Sequence, residues 1–172
     1  MSGHQYSPAL GITSRLRKRS FDYSTEGAYF ITCVTRKRVR LFGQVQASIM
    51  RLSPLGLMVD EEWLALETAF PTITLIDHHT MPDHFHGVLY IGGDDETRPN
   101  LSRVIGRFKS LVAKRYWSLR DARACDNIGT TCWQDKFHDS ILWNDRHVDD
   151  TVRYIQLNPH RWTQRFGEGI AR

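Results

Sequence analysis

The period of the hydrophobic positions changes several times along the chain, and each change marks an element. Residues 28–35, AYFITCVT, are rich in aromatic and β-branched side chains and predict a buried strand. At Ser53-Pro54 the pattern turns helical. Ser53 suits the N-cap, Pro54 suits the first helical position, where a missing N–H costs nothing, and Leu55, Val59, Trp63 and Leu66 fall on one face. Two further strands are predicted at 72–81 (TITLIDHHTM) and 84–91 (HFHGVLYI), joined through Pro82 and Asp83 as a hairpin.

The loop GGDDETRPN then leads into the clearest helical stretch, 101–117, with Leu101, Val104, Ile105, Phe108, Leu111 and Val112 on one stripe. Residues 121–132 read as a loop and 137–143 (FHDSILW) as a last strand. A final helix is predicted from Asn144 or Asp145, either of which can cap it. Val148, Val152 and Ile155 would face the sheet, and Pro159 would end the helix at Asn158.

Strand, helix, strand, strand, helix, strand, helix is the order of two βαβ-like halves around a central hairpin. The expected fold class is α+β: a ferredoxin-like antiparallel sheet with helices on one face and an extra C-terminal helix. The 172 residues suit one domain. It is expected at 25–165, after a basic, aperiodic and flexible arm at 1–24 and before a tail at 166–172.

Charge sharpens this picture through its placement. The net charge is only +4 and the pI about 9.1. The cations cluster, however: Arg15, Arg17, Lys18 and Arg19 in the arm, Arg36, Lys37, Arg38 and Arg40 after the first strand, and six more between Arg103 and Arg120. Arg103, Arg107 and Lys114 project from the polar side of the 101–117 helix, with Lys109 at its flank. Such clusters suit a polyanion, because each cation set against a phosphate releases a condensed counterion; solvated faces are the plainer alternative. Three cysteines without a CxxC pair indicate neither a disulfide framework nor a thiolate zinc site, and fit a reduced, cytoplasmic protein. No apolar run is long enough to span a membrane.

The candidate chemistry lies in MPDHFHG, residues 81–87. Alternation along a strand puts His84 and His86 on one face and Phe85 on the other, in the core. The imidazoles are then about 7 Å apart along the strand, close enough to converge on one divalent ion. Two ligands leave a metal under-coordinated. Tyr154 and Asn158, at i and i+4 on the last helix, would bring a carboxamide oxygen to such an ion and a tyrosine hydroxyl to a phosphate bound there. A tyrosine hydroxyl is a poor nucleophile at neutral pH until the phosphate beside it is polarised. Each of these residues also has an ordinary structural reading: surface histidines of a strand, a half-buried ring, a helix-terminal asparagine.

Their combination resembles a known family, the REP-associated tyrosine transposases, within the IS200-like single-tyrosine HUH transposases. The matching segments run in order: GAYFITCVTRKRVRLFG, LSPLG, MPDHFHGVL, IGRFKSLVAK, WQDKFHDSIL and YIQLNPHRW, spanning residues 27–162. The resemblance implies that His84 and His86 are the paired metal ligands, Asn158 the third ligand and Tyr154 the nucleophile carried by the extra helix. It implies Mg²⁺ or Mn²⁺ as cofactor and single-stranded or hairpin DNA as partner, cut next to a REP-like palindrome to leave a 5′-phosphotyrosine and a free 3′-OH. Arg36, Lys37, Arg38, Arg103, Arg107, Lys109 and Lys114 are the expected DNA contacts, and a homodimer is compatible with the family.

Two positions depart from the family pattern: Asp83, where Asn is common, and Asp135, where a basic residue often follows the Trp-Gln pair. Two other functions share part of the signal. A domesticated hairpin-binding protein that does not cut would have no use for His84, His86, Tyr154 and Asn158 together. A relaxase or replication initiator usually carries a further histidine ligand or additional domains.

Overall fold

The computed structural model describes residues 25–167; the expected basic arm and all but the first two residues of the expected tail lie outside them. Among the described residues six strands and five α-helices form in the order β1 (Gly27–Val34), β2 (Gly43–Gln46), β3 (Ile49–Leu52), α1 (Pro54–Leu64), α2 (Leu66–Ala69), β4 (Ile73–Met81), β5 (His84–Ile91), α3 (Leu101–Asp121), β6 (His138–Leu142), α4 (Asp145–Gln156) and α5 (Asn158–Phe166). The main sheet has the order β4-β5-β1-β6 and is antiparallel throughout, the ferredoxin-like arrangement the element order implies.

The helix signals read from the sequence act as expected. The Ser53 hydroxyl accepts the Gly56 N–H at 3.1 Å, and the Asn144 carboxamide accepts from the His147 N–H at 3.0 Å, which makes Asn144 the cap of α4. Leu55, Val59, Trp63 and Leu66 are buried, as are Leu101, Val104, Ile105, Phe108 and Val112. Together with Tyr29, Ile31, Cys33, Phe85 and Leu89 they form the main core, which fixes α1 and α3 on one face of the sheet. A shorter cluster of Phe30, Val88 and Ile155, with Tyr154 and Leu142 against it, attaches α4 to the opposite face. The sheet is therefore covered on both sides.

Two glycines of the sequence motifs are explained by this packing. A Cβ on Gly87 would lie 2.5 Å from the Trp63 ring, and one on Gly56 would lie 2.1 Å from the Phe42 carbonyl oxygen, so α1 approaches β5 and the segment just before β2 too closely for a side chain at either glycine.

The structure departs from the sequence reading at three places. Residues 43–52 form a separate hairpin, β2–β3, whose turn residues Ala47 and Ser48 have φ of 49° and 59°. Neither is a residue that favours this left-handed turn, so the sequence carries no turn signal there. Pro159 does not end the helical region. α4 stops at Gln156, and Asn158 and Pro159 open a second helix, a position where proline is well tolerated. Asn158 is thus the first residue of α5 rather than the last of the tyrosine helix. Finally, His86 is not the surface histidine of a strand that the plainer reading allows: it is only 5% exposed, under the layer that carries Tyr154.

Candidate active site

Thr32 pairs with His86 and with His138, and Phe30 pairs with Val88 and Ser140, so these side chains share the sheet face opposite the main core. α4 and α5 cross that face and leave a cleft of about 910 Å³ over it. Phe30, Thr32, His84 and His86 form its floor, Tyr154 enters from α4, and Asn158, Arg161, Trp162, Arg165 and Phe166 enter from α5.

The two histidines are held by their inner nitrogens. Nδ1 of His84 lies 2.5 Å from Oδ1 of Asp83, and Nδ1 of His86 lies 2.9 Å from the Thr32 hydroxyl oxygen. With both Nδ1 atoms engaged, the Nε2 atoms are the nitrogens left for a ligand, and an outer partner on Nδ1 is the usual way a metal-binding imidazole is oriented. The rings lie 4.6 Å apart at 73°. His86 also stacks on Phe30 at 5.1 Å. Burial, and then His84 and His79 nearby, hold the His86 imidazole well below its ordinary pKa, so it is neutral at physiological pH, the form that ligates metals.

Asp83 is 6% exposed, and its second oxygen lies 3.5 Å from Nη1 of Arg38. The turn that bears it is tied to the end of β1: Thr35 donates to the Asp83 carbonyl from both its N–H and its hydroxyl, each at 2.9 Å. The residue that departs from the family pattern is thus the outer partner of the first histidine.

Tyr154 packs edge-on against Phe30 at 6.2 Å and lies 5.8 Å from His86, ring to ring. The Arg161 guanidinium lies over its face at 4.7 Å. Asn158, 8% exposed, donates from Nδ2 to the Tyr154 carbonyl at 3.4 Å, which leaves its carboxamide oxygen as the donor atom available to the cleft. Proximity to Tyr154 therefore survives the break between the helices. Among the described residues no group of three His, Cys, Asp or Glu side chains converges as a metal site. The donor set at hand is two imidazole nitrogens and a carboxamide oxygen, which suits a borderline or hard divalent ion.

Of the cations singled out in the sequence, Arg38 lines the cleft, while Arg36 and Lys37 are exposed on the same 3-10 turn. Arg103, Arg107 and Lys114 are exposed on α3, in the helical layer behind the sheet, and do not line the cleft. Lys109 donates to the carbonyls of Gln134 and Asp135 at 2.7 and 2.9 Å, clamping the loop before β6. Arg40, Arg161 and Arg165 do line the cleft, as do His138 and Ser140. The α5 cations lie beyond Pro159, where the sequence pattern predicts the helix to stop. The available signal was Trp162 and Phe166 at i and i+4, with Arg161 and Arg165 at the same spacing.

His79 lies opposite His86 across the β4–β5 ladder, with Nε2 buried and unpaired, but is not part of the cleft wall. His78 faces the other way, 6.5 Å from Trp63. Burial pushes the Cys33 and Cys132 thiols up to about 12, which leaves neither as a nucleophile.

No family model matches the sequence. An uncharacterized protein of Haemophilus influenzae is 26% identical over 178 aligned positions, covering 93% of this chain and 95% of the relative. Among solved structures, a REP-associated tyrosine transposase bound to a REP hairpin superposes with a TM-score of 0.58 at 18% identity, over 86% of this chain and 73% of that one. A candidate transposase of Deinococcus radiodurans superposes with a TM-score of 0.52 at 14% identity, over 84% of this chain and 98% of that one. The chain has the α+β fold of these transposase structures. None of its described helices is long and apolar enough to cross a membrane.

Proposed function

We propose that this protein is a REP-associated-type tyrosine transposase: a metal-dependent single-stranded DNA endonuclease and strand transferase that acts beside a hairpin. The observation that carries the reading is the meeting, in one cleft, of two histidines engaged at Nδ1, a tyrosine and an asparagine carboxamide from three separate elements. A fold likeness to a transposase bound to a REP hairpin supports the same substrate class.

In this reading the Tyr154 hydroxyl oxygen attacks the scissile phosphorus. The phosphorus–O3′ bond breaks, the phenolic proton passes to solvent while O3′ takes one up and leaves as a free 3′-OH, and the phosphate remains joined to Tyr154 as a 5′-phosphotyrosine. A Mg²⁺ or Mn²⁺ ion held by His84, His86 and Asn158 would supply Lewis-acid polarisation of that phosphate. The Asp83 carboxylate, which can only accept, sets the His84 tautomer, and Thr32 orients the His86 ring. Arg161, over the tyrosine face, places a cation where phenolate charge develops. Arg38, Arg40 and Arg165 line the path of the flanking phosphates. A hairpin-binding protein that does not cut would need the cations but not the four groups at the centre.

The test is a covalent adduct. Full-length protein with Mn²⁺ and single-stranded hairpin DNA should give a band that survives denaturation, absent in Tyr154→Phe. His86→Ala should abolish the adduct while largely sparing hairpin binding, because cations carry most of the affinity. Tight hairpin binding with no adduct under Mg²⁺ or Mn²⁺ would leave only the non-cutting alternative.

A further inference from the structure

The mouth of the cleft carries a group of residues that cleavage itself does not require. Trp162 and Phe166, one turn apart on α5, pack with ring centroids 4.5 Å apart. Trp162, 8% exposed, lies 6.1 Å from His84 and is anchored below by Val45 and Met81. Phe166 is 48% exposed although it lines the cleft. Arg40 sits over both rings, at 5.4 and 5.6 Å, and Arg165 sits over Phe166 at 5.1 Å. The rings thus continue outward from the histidine pair: His86, His84, Trp162, Phe166.

We infer that Phe166, backed by Trp162 and flanked by Arg40 and Arg165, is a stacking subsite for one unpaired nucleobase of the strand that passes the histidine pair. This rests on the reading of the cleft as a site for single-stranded DNA and adds which base-binding element it contains. An exposed phenyl ring at the lip of a cationic cleft matches a ligand with flat, neutral π-faces alternating with anionic groups. Among the described residues four arginines line the cleft, Arg38, Arg40, Arg161 and Arg165, against two aspartates, of which Asp83 is already engaged by His84 and Arg38. The base takes the ring, and the guanidiniums now lying over that ring swing to the phosphates on either side. Stacking of this kind tolerates any base, because each has a π-face, so the subsite grips the strand without reading its sequence. Its rings meet the histidine pair at His84, whereas Tyr154 meets it at His86, so the subsite holds a nucleotide next to the scissile phosphate rather than the reacting group itself.

The test uses full-length protein in EDTA, so that no cleavage intervenes, and a fluorescent DNA hairpin with an oligothymidine flank in which a single abasic site is walked along the flank. Wild type should lose about tenfold or more in affinity when the base is removed at one particular position. Phe166→Ala, a half-exposed residue whose loss spares the core, should bind the intact flank as weakly as wild type binds that abasic DNA, and should show no further loss there. Phe166→Tyr should restore both the affinity and the abasic penalty. If Phe166→Ala keeps the wild-type abasic penalty at each position, the subsite is overturned. A protein that fails here but forms the Tyr154 adduct loses only the subsite; one that passes but forms no adduct loses only the strand-transfer reading.

Discussion

Asp83 is the residue at which local pattern and tertiary setting meet. In the sequence it is a departure beside the first histidine. In the structure its carboxylate sits 2.5 Å from Nδ1 of His84 and 3.5 Å from an Arg38 nitrogen, which joins the basic turn to the histidine pair through one side chain. A carboxylate on Nδ1 makes Nε2 a stronger donor than an amide would. Asp83→Asn should therefore weaken Mn²⁺ binding by about 10- to 100-fold while leaving the fold intact, as measured by isothermal titration calorimetry and thermal melting. An unchanged Mn²⁺ affinity would remove Asp83 from any role in the site. Gly87, in the same motif, is needed for a different reason: the Trp63 ring occupies the space a Cβ would take.

At the scale of elements, α5 accounts for much of the cleft, and the β2–β3 hairpin accounts for α5. Trp162 packs on Val45 and Met81, with Met50 against them, so the hairpin is the shelf that turns Arg161, Arg165 and Phe166 inward. α3 carries more cations, six against the two arginines of α5, but is packed on the opposite side of the sheet. The two helices should separate in the salt dependence of binding to a short single strand. Arg161→Gln and Arg165→Gln should each lower the slope of log K against log salt by about one, and Arg107→Gln with Lys114→Gln should leave it nearly unchanged. Fluorescence anisotropy over a salt series measures this, and a larger effect from the α3 pair would move the DNA path to the other layer.

At the scale of the whole molecule, closing both faces of the sheet buries histidines that a one-sided sheet would leave in water. Burial is the main cause of the lowered pKa of both His86 and His79. Their folded values lie below the ordinary value of about 6.5, so on acidification the unfolded chain takes up protons that the folded chain does not. The stability of the metal-free protein should be fully present above about pH 6.5 and fall as the pH drops below it towards the folded values. Urea denaturation in EDTA at about pH 7.5 and pH 5.5 should show a lower midpoint at the acid pH, with a smaller drop in His86→Gln. Equal midpoints would show that the second face is open to water.

The chain by itself determined the elements that form from local rules. Ser53-Pro54 and Asn144 start helices wherever they stand before an amphipathic run, and the stripes of Leu55 to Leu66 and Leu101 to Val112 specify which face is buried. Strand alternation separates Phe85 from His84 and His86 without reference to the rest of the fold, and the expected placement of Tyr154 near Asn158 needed only helical spacing. Three things depended on contacts distant in sequence. The β2–β3 turn is built from residues with no preference for its backbone, and α5 packs on the hairpin it forms. Pro159 begins a helix rather than ending one because Pro159 and Trp162 find a buried setting there. Which cations share a cleft with the histidines was decided by which side of the sheet each helix covers, and no spacing along one helix can specify that.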